Sequence, residues 1–273
     1  MTPQLAAILA CPLCRGELVH STTELFCCRC ARRFPVLNGV PVLLDDAEPV
    51  VTVPAAHESN ALGAEFEAIL ADGQDLVLHI GAGSTARKYP NCIELERKIF
   101  LHTDLVADAH ALPLRSQTCD RVMAFNVFEH LRFPQRAADE IFRVLKPGGS
   151  VAIHTAFLQA LHEEPAHFYN ATAYGVREWF GRFEIEWCHV SANFSPGYML
   201  AFLMSQLLEA ARLGSTSVEE QTALSKTSLG EWATFWARGK DPPAGFGMLQ
   251  ELPQSLQQRV AAGFELIARR PLI

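Results

Sequence analysis

Five short apolar runs in the middle of the chain constrain its fold more than any other feature of the sequence. Each run is four or five residues long, and the segments between the runs have the composition of helices and loops. Fully buried strands that alternate with crossover segments are typical of a parallel sheet covered by helices. The runs are residues 76–80, 92–95, 104–107, 121–125 and 150–154. We therefore predict an α/β fold built on a mostly parallel, doubly wound sheet.

The apolar periodicity of the remaining segments predicts further elements. They are helices at 61–71, 135–145 and 172–180, an edge strand at 183–190, mostly helices over 197–262, and a last strand at 263–268. The apolar face of the second helix consists of Ala137, Ile141, Phe142 and Leu145. We expect Pro147-Gly148-Gly149 to stop that helix, because proline cannot continue it and glycine permits the turn into the next strand.

Four of the eight cysteines form two C-x2-C pairs that are twelve residues apart, namely Cys11, Cys14, Cys27 and Cys30. Each pair can fold as a tight knuckle, and four thiolates suit a tetrahedral Zn²⁺ with no open position for catalysis. The alternatives are a disulfide framework, which is typical of short secreted domains, and a ribbon that has lost its metal. We predict a structural zinc, with Cys28 outside the ligand set. Cys92, Cys119 and Cys188 are expected to be buried structural thiols.

The charge balance of the chain restricts its partners. The formal net charge is −7, only 19% of the residues are charged, and 49% are hydrophobic. An acidic balance disfavours a long nucleic-acid groove, which needs clustered Lys and Arg. No apolar run approaches the roughly 18–20 residues that span a bilayer, and no secretory signal is convincing. We expect a cytoplasmic protein.

Glycines and acidic residues follow the predicted strands at their carboxyl ends, where open α/β sheets bind ligands. Gly81-Ala82-Gly83-Ser84 follows the first run, and a Gly-x-Gly turn lets a ligand approach the backbone closely. Glu96 ends the second run, Asp108-Ala109 follows the third, and Asn126 follows the fourth. A carboxylate at the end of the second strand can accept both hydroxyls of a ribose. These features alone also suit a nicotinamide cofactor, because Ala86 is tolerated at the third position of that fingerprint.

The cysteine-rich segment from Cys11 to Leu44 resembles the small zinc-ribbon proteins that activate tRNA and protein methyltransferases. It resembles equally the ribbons that are fused in front of many bacterial methyltransferases. In the free-standing family the ribbon binds a methyltransferase domain. The resemblance therefore implies that the ribbon and its partner share one chain here.

Four further motifs resemble class I S-adenosylmethionine-dependent methyltransferases of the type 11 group over about residues 75–190. They are Asp108 to Leu114, Cys119 to Val122, Val127 to Leu131, and Glu140 to Gly149. This resemblance displaces the nicotinamide interpretation and implies a seven-stranded Rossmann-like sheet. The expected domains are a zinc ribbon at 1–45, a linker and helix at 46–74, and a methyltransferase domain at 75–273 with a helical insertion at about 197–262.

The resemblance also implies roles for individual residues. Gly81, Gly83 and Ser84 would pass beside the methionine part of S-adenosylmethionine, and Asn126 would lie under it. Glu96 would hold the ribose, with Glu94 as competitor. Asp108 would accept the adenine amino group, and the Ala109 backbone would bind the ring. The chain departs from the family in two places, since His79 stands where an acid is usual and the link from Gly83 to Glu96 is short and contains Pro90.

The acceptor of the methyl group is less constrained. A hydroxyl acceptor needs a base, most often histidine, and the candidates are His130, His154 and His167. The insertion carries Trp232, Phe235 and Trp236 at helical spacing, either as core or as part of an acceptor pocket. We predict a small-molecule or glycan acceptor. The alternatives are methylation of rRNA or tRNA and a non-catalytic partner protein that uses its ribbon, or its helical insertion, for interaction.

Overall fold

The computed structural model describes residues 1–45, 49–57, 59, 61–214, 217–262 and 269. The helices are α1 (Pro3–Ile8), α2 (Ala64–Asp72), α3 (Pro134–Val144), α4 (Ala173–Trp179), α5 (Pro196–Leu213), α6 (Val218–Lys226), α7 (Leu229–Arg238), α8 (Phe246–Gln250) and α9 (Gln254–Val260). The strands are β1 (Leu18–His20), β2 (Glu24–Cys27), β3 (Arg33–Leu37), β4 (Val40–Leu43), β5 (Val77–Ile80), β6 (Cys92–Glu96), β7 (Leu105–Ala107), β8 (Cys119–Phe125) and β9 (Leu145–His154).

The predicted α/β sheet is confirmed, but among the described residues it has nine strands rather than seven. The order is β1-β2-β3-β4-β7-β6-β5-β8-β9. Strands β5 to β9 are mutually parallel, and every residue of the central strand β5 is buried. The ribbon strands β1 to β4 pair antiparallel with one another, and β4 then pairs parallel with β7. The ribbon therefore extends the parallel sheet at its β7 edge.

The ribbon also docks through the segment that follows Asp108. The backbone N–H of Ala10 donates to the carbonyl of Pro113 at 2.9 Å, and the N–H of Arg115 donates to Ile8 at 2.9 Å. Leu9 is 1% exposed and bridges to Leu114. Ribbon and sheet side chains belong to one continuous hydrophobic cluster. The ribbon, residues 1–45, and the sheet therefore share one hydrophobic core.

Helix α3 follows the predicted helix at 135–145 within one residue. Pro134 occupies the first turn, where a backbone N–H has no partner within the helix, so the missing N–H of proline costs no hydrogen bond. Ala137, Ile141 and Val144 are buried. The prediction for Phe142 was wrong, because its side chain is 40% exposed and packs on Phe183 and Arg182 at the margin of the core.

Two further predictions were wrong, and a third concerns residues that the structure does not describe. Helix α3 ends at Val144, and β9 begins at Leu145 and runs through Pro147-Gly148-Gly149, so that tripeptide lies inside a strand rather than stopping the helix. Residues 183–190, all of them described, form no strand. Phe183 and Ile185 bury their side chains against the main core, so packing accounts for the alternation without a ladder partner. The predicted last strand at 263–268 lies outside the described residues.

The described chain divides into two compact units. The first comprises residues 1–157 and 168–188, and the second comprises 158–167 and 189–273. Helices α5 to α9 lie in the second unit, which confirms the prediction of mostly helices over 197–262. Two capping boxes begin its helices, Ser217 with Glu220 for α6 and Ser228 with Glu231 for α7. None of the helices in the described part of the chain has the length and apolar character needed to cross a bilayer.

Candidate cofactor site and metal centre

Cys11, Cys14, Cys27 and Cys30 form a group whose four sulfur atoms all lie within 4.8 Å of one another. The Sγ atoms of Cys11 and Cys30 are 3.6 Å apart, and those of Cys14 and Cys27 are 3.4 Å apart. Four sulfurs at about 2.3 Å from a tetrahedral Zn²⁺ would be about 3.8 Å apart, so the donor set fits that metal. All four cysteines are free thiols, which rules out the disulfide framework for this site. Cys28 is exposed and outside the group, as predicted.

Backbone geometry prepares the second knuckle for a metal. Burial opposes ionisation of the Cys27 thiol, but the N–H groups of Cys30 and Arg29 donate to it and lower its pKa to about 7. A thiolate is the form that binds metal. Gly16 lies beside the same sulfurs, because a Cβ on it would lie 3.1 Å from Cys27 Sγ and 3.2 Å from Cys14 Sγ. The ribbon therefore needs a glycine at this position.

The glycine loop after β5 has the backbone that its sequence predicts. Gly81 and Gly83 have φ of +66° and +64°, a region that side chains with a Cβ rarely adopt. A Cβ on Gly81 would lie 2.3 Å from Cγ2 of Val127, and one on Gly83 would lie 2.5 Å from Oγ of Ser59. The N–H of Ser84 donates to the same Ser59 hydroxyl at 2.8 Å. Glycine at both positions therefore lets Val127 and Ser59 pack closely against the loop.

The short link from the glycine loop to β6 holds a partly buried polar network, and the helix usual in the family is absent there, as the short link with Pro90 predicts. Residues 81–91, all described, form no helix. The Nζ of Lys88 donates to the carbonyls of Cys92 and His102 and pairs with Asp104. Thr85 Oγ lies 3.0 Å from both carboxylate oxygens of Glu94. Lys88 and Thr85 therefore attach the link to β6 and to the chain just before β7.

His79 lies in β5 opposite Glu94 of β6 and Met123 of β8. Its side chain is 3% exposed, and its Nδ1 has no hydrogen-bond partner among the described residues. Burial, with a smaller contribution from the charge of Lys88, lowers the pKa of His79 to about 4. His79 is therefore neutral at neutral pH, unlike the acid that the family usually has at this position.

Of the two glutamates proposed for the ribose, Glu96 lies at the glycine loop and Glu94 does not. Glu96 Oε1 accepts the N–H of Gly83 at 2.7 Å, and burial raises the pKa of the Glu96 carboxyl. Glu94 is 2% exposed and faces Thr85 and Lys88. Burial raises the pKa of Glu94 to about 7, although Lys88 and Thr85 act in the opposite direction. Glu96 therefore contacts the glycine loop, whereas Glu94 is enclosed by Thr85 and Lys88.

Asp108 follows β7 and begins a short 3-10 helix, Ala109–Ala111. Its Oδ1 accepts the N–H of His110 at 2.8 Å and lies 2.5 Å from His110 Nδ1. Its Oδ2 accepts Nη1 of Arg97 at 2.8 Å. Burial opposes ionisation, but His110 and Arg97 outweigh it and lower the pKa of Asp108 to about 2. Ala109 is buried directly beside it.

The strand ends β8 and β9 bring together Asn126 and His154. Asn126 has φ of +55°, and its N–H donates to the carbonyl of His154 at 3.0 Å. The His154 ring packs against Phe125 and Phe66, and burial lowers its pKa. His130 ends a second 3-10 helix, Phe128–His130, four residues beyond Asn126. Both histidines thus lie just after a parallel strand, where sequence reasoning placed them.

The third histidine, His167, belongs to the second compact unit. Its Nδ1 accepts the N–H of His162 at 3.3 Å, and the two rings are 4.3 Å apart in an edge-to-face arrangement. In the same unit Phe235 and Trp232 pack on Phe246, while the Trp236 side chain is 90% exposed. Of the predicted aromatic group, two members are therefore packed and one faces solvent.

Sequence reasoning missed three residues that touch this site, namely Arg97, His110 and Ser59. His110 could have been found from the sequence, because a histidine two residues after an N-capping aspartate can reach its carboxylate. The sequence indicates Arg97 only weakly, through its position directly after a residue assigned to the ribose. Nothing in the sequence indicates Ser59, because it lies in the linker and its contact with the glycine loop depends on tertiary packing.

Two family descriptions match the chain. The Trm112p-like family matches residues 2–39, and the methyltransferase domain family matches residues 87–153. A UPF0434 protein of Azotobacter vinelandii is 42% identical over 55 residues, which are 19% of this chain and 90% of that protein. These matches confirm the ribbon and the methyltransferase domain that the motifs predict. The second match begins at Arg87, after the glycine loop.

Two solved structures resemble part of the fold. One is a complex between the Haloferax volcanii Trm112 methyltransferase activator and a candidate methyltransferase, with 19% identity and a TM-score of 0.32 over 43% of this chain and 66% of that one. The other is the (4+2)-cyclase SpnF, with 18% identity and a TM-score of 0.34 over 43% of this chain and 56% of that one. Both likenesses are partial, and the family assignment rests on the sequence matches.

Proposed function

We propose that this chain transfers a methyl group from S-adenosylmethionine to a small-molecule or glycan acceptor. It belongs to the family of the UPF0434 proteins through its ribbon, which also matches the Trm112p-like description, and it carries a methyltransferase domain behind the ribbon. One observation carries the proposal. Gly81 and Gly83, Glu96, Asp108 and Asn126 follow the successive parallel strands β5, β6, β7 and β8 at the same edge of the sheet. Open α/β sheets bind nucleotide-like ligands at that edge.

The residues at this edge fit the cofactor. Gly81 and Gly83 give the loop a positive-φ backbone without side chains, which would expose the backbone to the methionine part of the cofactor. Glu96 would offer a carboxylate to the ribose hydroxyls, Asp108 would offer one to the adenine amino group, and the Ala109 backbone would bind the ring. Ser84 and Asn126 would lie beside the methionine end. These assignments are proposals that follow the family resemblance.

S-adenosylmethionine supplies an activated methyl group on a sulfonium, so a bond to the acceptor forms while the carbon–sulfur bond breaks in one in-line displacement. The work left to the chain is to position the acceptor and to exclude water. A hydroxyl acceptor must also lose its proton to a base, and His130, His154 and His167 are the candidates. Burial lowers the pKa of His154, which favours the neutral ring that can accept a proton.

The ribbon supports a neutral acceptor rather than RNA. Arg29, Arg32 and Arg33 form a small basic patch on the ribbon, and two of them are paired within the chain, Arg32 with Asp45 and Arg33 with Glu24. The third, Arg29, donates to the carbonyl of Cys14. Since RNA binding depends on unpaired cations that release counterions, a paired patch on a chain of net charge −7 favours an uncharged acceptor.

The proposed role of the zinc is structural. Four thiolates complete a tetrahedral site and leave no position for substrate. The strand β4 that leads out of the ribbon is already paired with β7 of the same chain. We therefore propose that the ribbon serves its own methyltransferase domain. Binding of a further protein through the exposed part of the ribbon or through the helical unit is the partner alternative.

Calorimetry with S-adenosylhomocysteine tests the cofactor, since the product binds the same site without turnover. We expect binding at micromolar to millimolar concentration and a loss of at least about tenfold in Glu96→Gln, because one ribose acceptor is removed. Absence of heat at millimolar ligand would favour the non-catalytic partner protein instead. Filter binding with ribosomal RNA tests the acceptor class, and a steep salt dependence would overturn the neutral acceptor.

A further inference from the structure

Arg97 and Asp108 meet across the ends of two neighbouring strands. Arg97 directly follows β6, Asp108 directly follows β7, and Glu96 pairs in register with Val106. The guanidinium of Arg97 lies with Nη1 2.8 Å from Asp108 Oδ2. The N–H of the same arginine donates to Glu96 Oε2 at 3.1 Å. Arg97 therefore contacts both carboxylates that the proposed function assigns to the adenosine part of the cofactor.

The two oxygens of Asp108 have different partners. Oδ1 is held from within its own 3-10 helix by the backbone and the ring of His110. Oδ2 faces Arg97, whose side chain is 45% exposed, and the Asp108 side chain is 35% exposed. A ligand amino group that approaches from solvent must therefore use Oδ2, where it meets the guanidinium.

We propose that Arg97 is a specificity-determining residue that competes with the adenine amino group for Oδ2 of Asp108. This inference rests on the proposed function, because it requires adenine to bind at Asp108. Binding exchanges one N–H donor for another, and the arginine must move aside or share the oxygen. Arg97 thus weakens the binding of ligands that carry a 6-amino group.

The same geometry predicts how the site distinguishes purines. A hypoxanthine ring presents an oxygen in place of the amino group, and the planar guanidinium of Arg97 can donate to that oxygen. The carboxylate of Asp108 can only repel it. Arg97 therefore reduces the preference for adenine over hypoxanthine, and its removal increases that preference.

Titration calorimetry with S-adenosylhomocysteine compares the wild-type chain with Arg97→Ala and Lys98→Ala. This ligand has no net charge at neutral pH, so the loss of one cation does not change its affinity through long-range charge alone. Lys98 is the matched control, because it is exposed and adjacent and its removal changes the net charge equally. A repeat with S-inosylhomocysteine measures the preference between the two purines.

Arg97→Ala should bind S-adenosylhomocysteine about two- to fivefold more tightly than the wild type, the range expected for release of an exposed ion pair. Lys98→Ala should bind like the wild type, and the preference for adenine over hypoxanthine should rise only in Arg97→Ala. Equal or weaker binding by Arg97→Ala, beside a wild type that binds, would overturn this inference and leave the proposed function intact. If neither the wild type nor Arg97→Ala binds the ligand at millimolar concentration, both this inference and the proposed function are overturned.

Discussion

Leu43 of the ribbon and Ala107 of the methyltransferase domain are partners in a parallel β-ladder, and Asp108 is the next residue along the chain. The ribbon, which carries the metal site, therefore pairs with the strand that leads directly into the residue proposed to bind adenine. Arg15 adds a second connection, because it follows Cys14 directly and donates to the carbonyl of Leu112 at 2.8 Å. The ribbon therefore contacts the chain just before Asp108, at β7, and again just after it, at Leu112.

Replacement of a metal ligand should remove the zinc and destabilise the whole sheet. We expect Cys14→Ser to lower the metal content from about one zinc per chain to near zero, and to lower the Tm by about 10 °C or more, because a structural zinc contributes folding free energy. Elemental analysis and thermal unfolding measure both. Cys28→Ser is the control, since Cys28 lies in the same knuckle outside the ligand group. Equal metal content in both variants would refute the assignment.

Arg15→Ala should weaken the connection between the ribbon and helix α3. Arg15 Nη2 lies 2.6 Å from Glu140 Oε2, which also accepts Arg143. Loss of its hydrogen bonds should lower the free energy of unfolding by about 1–2 kcal/mol in urea denaturation. Arg29→Ala is the matched ribbon variant, and we expect a change below about 0.5 kcal/mol there because Arg29 is exposed. Similar losses in both variants would contradict the role of Arg15.

Gly81→Ala should impair cofactor binding more than its backbone strain alone explains. Gly81 and Gly148 both have positive φ, but a Cβ on Gly148 meets nothing within 4 Å, whereas one on Gly81 meets Val127. Each alanine should cost about 1–2 kcal/mol of stability through its backbone. Only Gly81→Ala should weaken S-adenosylhomocysteine binding, by about tenfold or more. Equal affinities in calorimetry would show that Val127 and the loop do not border the ligand.

The stability of the chain should depend on pH through Glu94. The pKa of Glu94 is raised in the folded chain to about 7, so the folded state holds a proton that the unfolded state releases. The contribution of Glu94 to the free energy of unfolding therefore falls as the pH rises from about 4.5 to 7. Glu94→Gln should lose this dependence and gain about 1–3 kcal/mol relative to the wild type between pH 5 and pH 8.

Urea denaturation at both pH values measures this difference. Glu67→Gln removes the same charge from an exposed position of α2 and serves as the control. His79 has the opposite slope, because its lowered pKa makes the folded state hold fewer protons between about pH 4 and 6.5. A constant offset between Glu94→Gln and the wild type at pH 5 and 8 would argue that Glu94 does not titrate in this range.

The sequence predicts the parallel sheet because buried strands leave a local signal. Four of the five runs became β5 to β8 with small changes at their ends, the fifth became the longer strand β9, and Gly81 and Gly83 have the positive φ that their turn requires. The C-x2-C spacing likewise predicts the sulfur group, since a knuckle is a short-range structure. These features depend on residues that are close in the chain.

Features that depend on tertiary contacts could not be predicted. Residues 183–190 have the alternation of an edge strand, but Phe183 and Ile185 pack against the main core, whereas Trp187 and Val190 are exposed. The pairing of β4 with β7 joins residues more than sixty positions apart, and neither strand alone indicates its partner. The contact between Arg97 and Asp108 likewise requires the register of β6 on β7, which no sequence pattern encodes.

The covalent link between β4 and the methyltransferase sheet changes how the ribbon meets its partner. About twenty residues separate Leu43 from the start of α2, so docking is an intramolecular event with an effective concentration on the order of millimolar. A free-standing ribbon must be expressed in the right ratio and must bind tightly enough to survive dilution. In this chain the ratio is fixed at one to one. The ribbon docks through the β4–β7 pair and the hydrogen bonds around Pro113. Even if the intrinsic affinity of these contacts is modest, the ribbon stays docked at any protein concentration.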